Sequence, residues 1–314
     1  MPYTVLTNTE LNDEIRAMLR DTCQVHVWAG QETDPALLQR AEGFFVYGHP
    51  KIDGAIMDRM PNLRVISNFG VGVDHINLDD ARARGIAVGN TPGLVDGATA
   101  DMTFALLMAI ARNVVIGDRY ARSPQFTVYD PNILHGYEVY GTTLGIVGMG
   151  NIGRQVARRA RGFDMRILYH NRRPNPQAEA ELGATYASLE ELLAQADYVT
   201  LNVPLTPETR HLIGREQLRQ MKPTAFLINV ARGGVVDHDA LVEALTQGWI
   251  AGAALDVTEP EPLPRDHPLL RMENVVIAPH LGSATRQTRY RMARRAVDNL
   301  LAGLRGEPLP SRIA

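Results

Sequence analysis

A single cysteine, Cys23, leaves the chain without an intramolecular disulfide and fits a reducing compartment. Cys and His nowhere fall at zinc-ligand spacing, so no structural metal is expected. No apolar run approaches the roughly 18 residues that a membrane span needs. The opening stretch MPYTVLTNTELNDEIRAM has neither the basic start nor the apolar core of a secretory signal. Charge of one sign is also scarce: a net charge of −3 gives no electrostatic reason to expect nucleic acid or an anionic membrane as partner. No segment is of low complexity. What is present is a globular composition, 45% hydrophobic and 21% charged, spread over 314 residues, room enough for two ordinary domains. The expectation is a cytoplasmic globular protein.

The first ninety or so residues alternate short apolar runs with amphipathic segments. Tyr3–Leu6, Gln24–Trp28, Phe44–Tyr47, Leu63–Ser67 and Ile86–Val88 read as buried strands. Asp34-Pro35 and Asp53 read as helix starts, because Asp can accept from free N–H groups and Pro fits the first helical position. A helix rich in Ala, Leu and Met is predicted from Ala98 to about Val115. Residues 117–141 lose that regularity and contain Ser123-Pro124 and Asp130-Pro131, which predicts a connecting arm. Strands resume at Thr143–Val147, Arg166–Tyr169, Tyr198–Asn202, Ala225–Asn229, Ala253–Val257 and Val275–Ala278. Ser188-Leu189-Glu190-Glu191 has capping-box spacing, and a last, arginine-rich helix is expected over roughly Ser283–Gly303. This alternation predicts an α/β protein of two doubly wound parallel-sheet domains. The first would span 1–97, completed by the C-terminal helix within 285–314; the second would span 98–284.

The sharpest local signal is Gly148-Met149-Gly150-Asn151-Ile152-Gly153, which follows an apolar strand and opens a helix. Gly148 permits the tight turn, Gly150 lets the backbone approach a pyrophosphate, and Gly153 lets helix and strand pack closely. The helix N-terminus offers N–H groups and a positive dipole end to the phosphates. Such a turn in a strand–turn–helix setting predicts a Rossmann-type dinucleotide site. The following strand ends in His170-Asn171-Arg172-Arg173-Pro174, without the Asp or Glu that accepts from the ribose hydroxyl in an NAD-preferring site. Arg172 and Arg173 could instead pair with a 2′-phosphate, so NADP is the expected cofactor with NAD possible; a solvated basic turn is the plainer alternative.

Downstream, three polar residues sit just past successive predicted strands, at the edge where such folds bind ligands: Arg232, Glu261 and His280. Each alone has an ordinary reading, as a loop cation, a solvated turn residue and a helix cap. Three in succession behind a dinucleotide turn point instead to one catalytic constellation.

At these residues the chain resembles the D-2-hydroxyacid dehydrogenases, from end to end. The resemblance is carried by Gly70-Val71-Gly72-Val73-Asp74, the glycine turn, Asn229-Val230-Ala231-Arg232-Gly233, Asp256-Val257 with Glu261 five residues on, and Pro279-His280 followed by Gly282-Ser283. The segments from Leu255 to Leu270 and from Asn299 to Pro308 look most like glyoxylate/hydroxypyruvate reductases. Asp101 stands where many members have Glu. The resemblance implies a flavodoxin-like substrate domain beside the Rossmann-type one, and reduction of small 2-oxo acids to D-2-hydroxy acids. It implies His280 as general acid, Glu261 as its partner, and Arg232 as the group that binds the substrate carboxylate and polarises the carbonyl. It also implies that Val71 and Gly72 hold the carboxylate through backbone N–H groups, with Ser283 nearby. Thr99, Val203, Pro204, Thr209, Val230, Ala231, Asp256, His280 and Gly282 would line the cofactor site with the glycine turn and Asn171, Asp256 holding the carboxamide. A homodimer with the 117–141 arm crossing to the partner is implied as well. On the same scaffold, phosphite and 3-phosphoglycerate remain open as substrates, whereas formate dehydrogenases carry Gln where this chain has Glu261. A nucleotide-sensing corepressor of similar fold is the reading of a different class.

Overall fold

The computed structural model describes residues 2–314, which divide into two compact units. The first comprises 2–95 and 285–314, the second 96–284. Against the boundaries expected from the sequence, the first crossover lies two residues earlier, after Val95.

In the first unit the strands are β1 (Tyr3–Thr7), β2 (Cys23–Val27), β3 (Gly43–Val46), β4 (Val65–Asn68) and β5 (Ala87–Gly89). Between them run α1 (Asp13–Leu19), α2 (Pro35–Arg40), α3 (Gly54–Asp58) and α4 (Leu78–Ala83). The sheet is wholly parallel in the order β2-β1-β3-β4-β5, the flavodoxin-like arrangement. Strands β3 and β4 are buried throughout, which is why β3 reads as an apolar run rather than as an alternation, while β4 ends in two buried polar residues, Ser67 and Asn68. Asp34 and Asp53 cap α2 and α3, accepting from the N–H of Ala36 and Ile56.

The second unit begins with α5 (Asp96–Ala111) and α6 (Val114–Ala121). Its strands are β6 (Thr143–Val147), β7 (Arg166–His170), β8 (Thr185–Tyr186), β9 (Tyr198–Leu201), β10 (Phe226–Asn229), β11 (Gly252–Leu255) and β12 (Val275–Ile277). Helices α7 (Asn151–Arg161), α8 (Pro176–Leu182), α9 (Leu189–Gln195), α10 (Arg215–Gln220) and α11 (His238–Thr246) connect them. The sheet order is β12-β11-β10-β9-β6-β7-β8, all parallel, with the reversal between β6 and β9. That is the doubly wound dinucleotide-binding order, in which ligands enter where the strand order reverses. Separate apolar clusters cover its two faces, one around Phe104, Leu107 and Tyr198, the other around Leu192, Leu227 and Leu241.

Two expectations need correction. The helix predicted through Val115 stops at Ala111, because the Ala111 carbonyl is taken by the N–H of Tyr137 and Asn113 turns left-handed at φ 54°. The chain then restarts at a 60° bend as α6, so the first five residues of the expected irregular arm are helical. No single helix among the described residues is long and apolar enough to cross a membrane. The two-residue edge strand β8 was not expected; it is too short to carry a pattern.

Helix α12 (Arg286–Arg305) returns the chain to the first unit. Met292, Ala296, Leu300 and Leu304 form its buried stripe at four-residue spacing. Its seat is close: a Cβ on Gly303 would stand 2.5 Å from the Val65 side chain, and Ser67 Oγ donates to Ala296 O at 2.6 Å. The arginines that dominate its sequence lie mostly off that stripe. In the second unit Asp101 pairs with Arg159, tying α5 to α7.

Candidate active site

The glycine turn opens α7 at the switch point between β6 and β9. Gly148 has φ 101°, and a Cβ there would stand 2.8 Å from the Asn202 carbonyl at the end of β9. A Cβ on Gly153 would lie 2.1 Å from the Gly148 carbonyl oxygen, so the third glycine is fixed by helix–turn packing. At Gly150, which caps α7, nothing lies within 4 Å of an added Cβ. Gly148 and Gly153 are thus demanded by the protein itself, and Gly150 faces open space, as close approach of a pyrophosphate requires. Replacing Gly153 by Ala is expected to destabilise the protein by about 3 kcal/mol or to splay the turn. Thermal unfolding together with NADPH fluorescence titration would register either result.

Further observations fit a dinucleotide here. Asn202 Oδ1 is buried without a hydrogen-bond partner among the described residues, at the strand-order reversal. Asn171, just past β7, accepts from the Met149 N–H at 2.7 Å and so holds the turn from the next strand. The Met149 side chain itself is core, which leaves only its backbone to face a ligand. Arg172 and Arg173 are exposed in the turn after β7. Thr209 uses its hydroxyl within its own turn, donating to Pro204 O at 2.6 Å and accepting from Thr206 N–H. Val203 and Pro204 follow β9 directly, and Asn151 and Ile152 form the first turn of α7.

The catalytic candidates leave the same sheet edge. Strands β10, β11 and β12 pair in register Asn229–Leu255 and Leu255–Ile277. Arg232 and His280 each lie three residues past their strand, and Glu261 six past its own. The Arg232 loop is cinched by Asn229, which donates to Arg232 O and accepts from the N–H of Ala231. Val230, between them, is buried. The next residue, Gly233, allows this loop to lie against the Glu261 loop: a Cβ there would be 2.0 Å from the Thr258 carbonyl carbon. Only glycine fits.

His280 and Glu261 are in contact, Nδ1 to Oε1 at 2.7 Å. A carboxylate only accepts, so Nδ1 carries the proton and the imidazole presents Nε2 for chemistry. The pair is partly open, with the His280 side chain 29% exposed. His280 adopts φ 58°, a left-handed conformation uncommon for a residue with a Cβ and worth about 1 kcal/mol or more of strain. Asp256 holds it there. The Asp256 carbonyl accepts from His280 N–H at 2.9 Å, and its carboxylate oxygens accept from Leu281 and Gly282 N–H at 2.6 and 2.7 Å. Burial pushes the Asp256 carboxyl above the ordinary range, while those two N–H donors pull it back. Thr99 of α5 lies against the same spot, 3.4 Å from where a Gly282 Cβ would be. Asp256 was expected to hold a carboxamide; what the structure shows is that it shapes the loop that carries His280 and leads to Ser283.

Sequence reasoning missed the brace behind this edge. Arg210 grips Glu259 through both oxygens at 2.9 and 3.0 Å, and this holds the Glu259 carboxyl below its usual range. Glu259 also abuts Gly234, 3.0 Å from where its Cβ would be, so one carboxylate links the Arg210 turn to the loops that carry Arg232 and Glu261. Forty-nine residues separate the partners, and no local spacing announces such a pair. No cluster of His, Cys, Asp and Glu able to hold a metal occurs among the described residues. In the first unit, Val71 and Gly72 follow β4, also at a carboxyl strand edge.

The profile of the D-isomer specific 2-hydroxyacid dehydrogenase NAD-binding domain matches residues 104–282, more than half the chain. The chain belongs to the D-2-hydroxyacid dehydrogenase family. It is therefore an oxidoreductase with a Rossmann-type NAD-binding domain. Its relatives in the family include a glyoxylate reductase of Korarchaeum cryptofilum, 54% identical over 83% of this chain and 79% of its own. A glyoxylate reductase of Pyrococcus furiosus is 47% identical over 94% of this chain and 90% of its own. Among solved structures, an NADPH-dependent glyoxylate/hydroxypyruvate reductase of Sinorhizobium meliloti, crystallised with NADP and malonate, superposes with a TM-score of 0.90. It is 33% identical, covering 100% of this chain and 97% of its own. A Thermus thermophilus protein matches equally well, with a TM-score of 0.90 at 48% identity over 99% of this chain and 100% of its own.

Proposed function

We propose that this dehydrogenase reduces small 2-oxo acids, glyoxylate and hydroxypyruvate foremost, to 2-hydroxy acids, of D configuration where the product is chiral, with NADPH preferred over NADH. The observation that carries the reading is the 2.7 Å Glu261–His280 contact on a strained loop beside the Arg232 loop, at the edge of a dinucleotide-binding sheet. The names of the Korarchaeum, Pyrococcus and Sinorhizobium relatives support the substrate class.

The cofactor, when bound, supplies the hydride that a 2-oxo carbonyl carbon accepts, and negative charge develops on the carbonyl oxygen. His280 gives a proton to that oxygen from Nε2 and takes it back in the reverse direction. Glu261 orients the ring by accepting from Nδ1. Arg232 pairs with the substrate carboxylate and polarises the carbonyl, while backbone N–H groups of Val71 and Gly72 contribute to holding the carboxylate. The glycine turn, with Asn151 and Ile152 opening α7, holds the pyrophosphate; Thr99, Val203, Pro204, Thr209, Val230, Ala231, Asp256 and Gly282 line the remainder. Ser283 borders the substrate. The chain works as a cytoplasmic homodimer in this reading. Exposed apolar side chains along the arm, such as Val128 at 71% and Tyr129 at 77%, suit a face that a second copy covers.

The NADP preference rests on Arg172 and Arg173 in the exposed turn after β7, whose own sequence supplies no carboxylate to pair with a free ribose hydroxyl. One charge-assisted contact to a 2′-phosphate is worth about 1.5–3 kcal/mol, so kcat/KM with NADPH should exceed that with NADH by about tenfold or more. Steady-state assays across a panel of 2-oxo acids with both cofactors test substrate and cofactor together. The double variant Arg172→Ala, Arg173→Ala should erase most of the preference, chiefly through KM. Equal use of both cofactors by the wild type would return the two arginines to the solvated surface.

A further inference from the structure

The loop that follows β4 in the first unit has its carbonyls gathered to one side. Asn68, the last residue of β4 and 1% exposed, donates from Nδ2 to Gly70 O at 3.1 Å and to Gly72 O at 2.9 Å. Asn90 Nδ2 takes Val71 O at 2.8 Å, and Thr91 N–H takes Gly70 O at 3.0 Å. In a planar trans peptide the carbonyl of one residue and the N–H of the next point in opposite directions. Drawing the carbonyls of Gly70, Val71 and Gly72 inward therefore turns the N–H groups of Val71, Gly72 and Val73 outward. Successive outward N–H groups form an anion-binding concavity. Arg289, whose guanidinium lies 5.6 Å from the Phe69 ring centroid, adds positive charge beside it.

The carbonyls on one side and His75 on the other together decide which way Asn68 faces. An Asn side chain could rotate by half a turn and put its oxygen, rather than its NH2, against the carbonyls. Here Asn68 Oδ1 lies 3.2 Å from His75 Nε2. With both amide hydrogens committed to carbonyls, Oδ1 can only accept, so His75 Nε2 must carry the proton. His75 locks the Asn68 amide, and the amide sets the loop.

We propose that Asn68 and His75 are positioning residues for substrate binding, acting as a relay that orients the Val71 and Gly72 N–H groups toward the carboxylate of a 2-oxo acid. The proposal rests on the function proposed above. Neither residue touches the reacting carbon, so their loss weakens substrate binding and leaves the chemical step and the cofactor site alone.

The test is a double-mutant cycle read as a split between KM and kcat. Asn68→Ala should raise KM for glyoxylate by about tenfold, the scale of one or two lost hydrogen bonds. It should keep kcat within about threefold and leave NADPH affinity, measured by fluorescence titration, unchanged. His75→Ala should raise KM in the same direction, and the double variant should be no worse than Asn68→Ala, since the two act in series. His75→Gln keeps an N–H donor and should restore most of the wild-type KM. If Asn68→Ala does not fold, the contrast between His75→Ala and His75→Gln decides. An unchanged KM in folded His75→Ala, or parallel losses in kcat and NADPH affinity, would overturn the relay. A wild-type enzyme that reduces no 2-oxo acid would instead overturn the proposed function, and the relay with it.

Discussion

Replacement of His280 by Ala is expected to lower kcat for glyoxylate reduction by about 10²- to 10⁴-fold, the range that a positioned general acid supplies. The geometry makes the expectation specific. Glu261 accepts a hydrogen bond from Nδ1–H at 2.7 Å and so commits the ring to exchange its other proton at Nε2. Asp256 bonds the backbone around His280 and not its ring, so the loop should persist without the imidazole. NADPH affinity should then change little, and the loss should appear in kcat at saturating substrate. Ala keeps the Cβ that makes this left-handed position strained, so thermal unfolding of the variant is measured alongside its kinetics to separate lost chemistry from lost stability. Near-normal turnover in a folded His280→Ala protein would reduce His280 to a structural loop residue.

The second large effect is expected at Arg232. Lysine keeps the charge but loses the planar fork that matches a carboxylate, and its compact ammonium cannot reach carboxylate and carbonyl together. Arg232→Lys should therefore lower kcat/KM by about 10²- to 10³-fold, comparable with removal of a donor to a developing oxyanion. The loop itself should stand. It is held by Asn229 through the backbone of Ala231 and Arg232 and by Gly233 packed on Thr258, none of which needs the guanidinium. Stopped-flow single turnovers with excess enzyme separate the two parts of the loss. A kcat/KM within about threefold of wild type would leave Arg232 as a structural loop cation.

Legibility in the sequence followed physics that is local in the chain. Interior parallel strands such as β9 and β10 are buried on both faces and so read as apolar runs at nearly their true bounds. Ser188 and Glu191 are three residues apart, and the reciprocal cap that their spacing predicts is present. Arg232, Glu261 and His280 stood out because functional side chains of this fold gather just past strand ends. Contacts between distant residues were not legible. Asn171 reaches Met149 across 22 residues and Arg210 reaches Glu259 across 49, and each polar residue looks like an ordinary loop residue in the chain. The break at Asn113 was hidden for the same reason: the Tyr137 N–H that ends α5 lies 26 residues beyond the Ala111 carbonyl it meets. Even Asn68 and His75 lie close in sequence, yet the direction in which the amide faces emerges only from the carbonyls and the imidazole around it.

Hydroxypyruvate offers the most direct test of the central claim, because its reduction creates a stereocentre. Purified protein, NADPH and hydroxypyruvate should yield D-glycerate alone, one molecule for each NADPH oxidised, as chiral chromatography and absorbance at 340 nm would record. Formation of L-glycerate, or no oxidation of either NADPH or NADH by any 2-oxo acid, would contradict it.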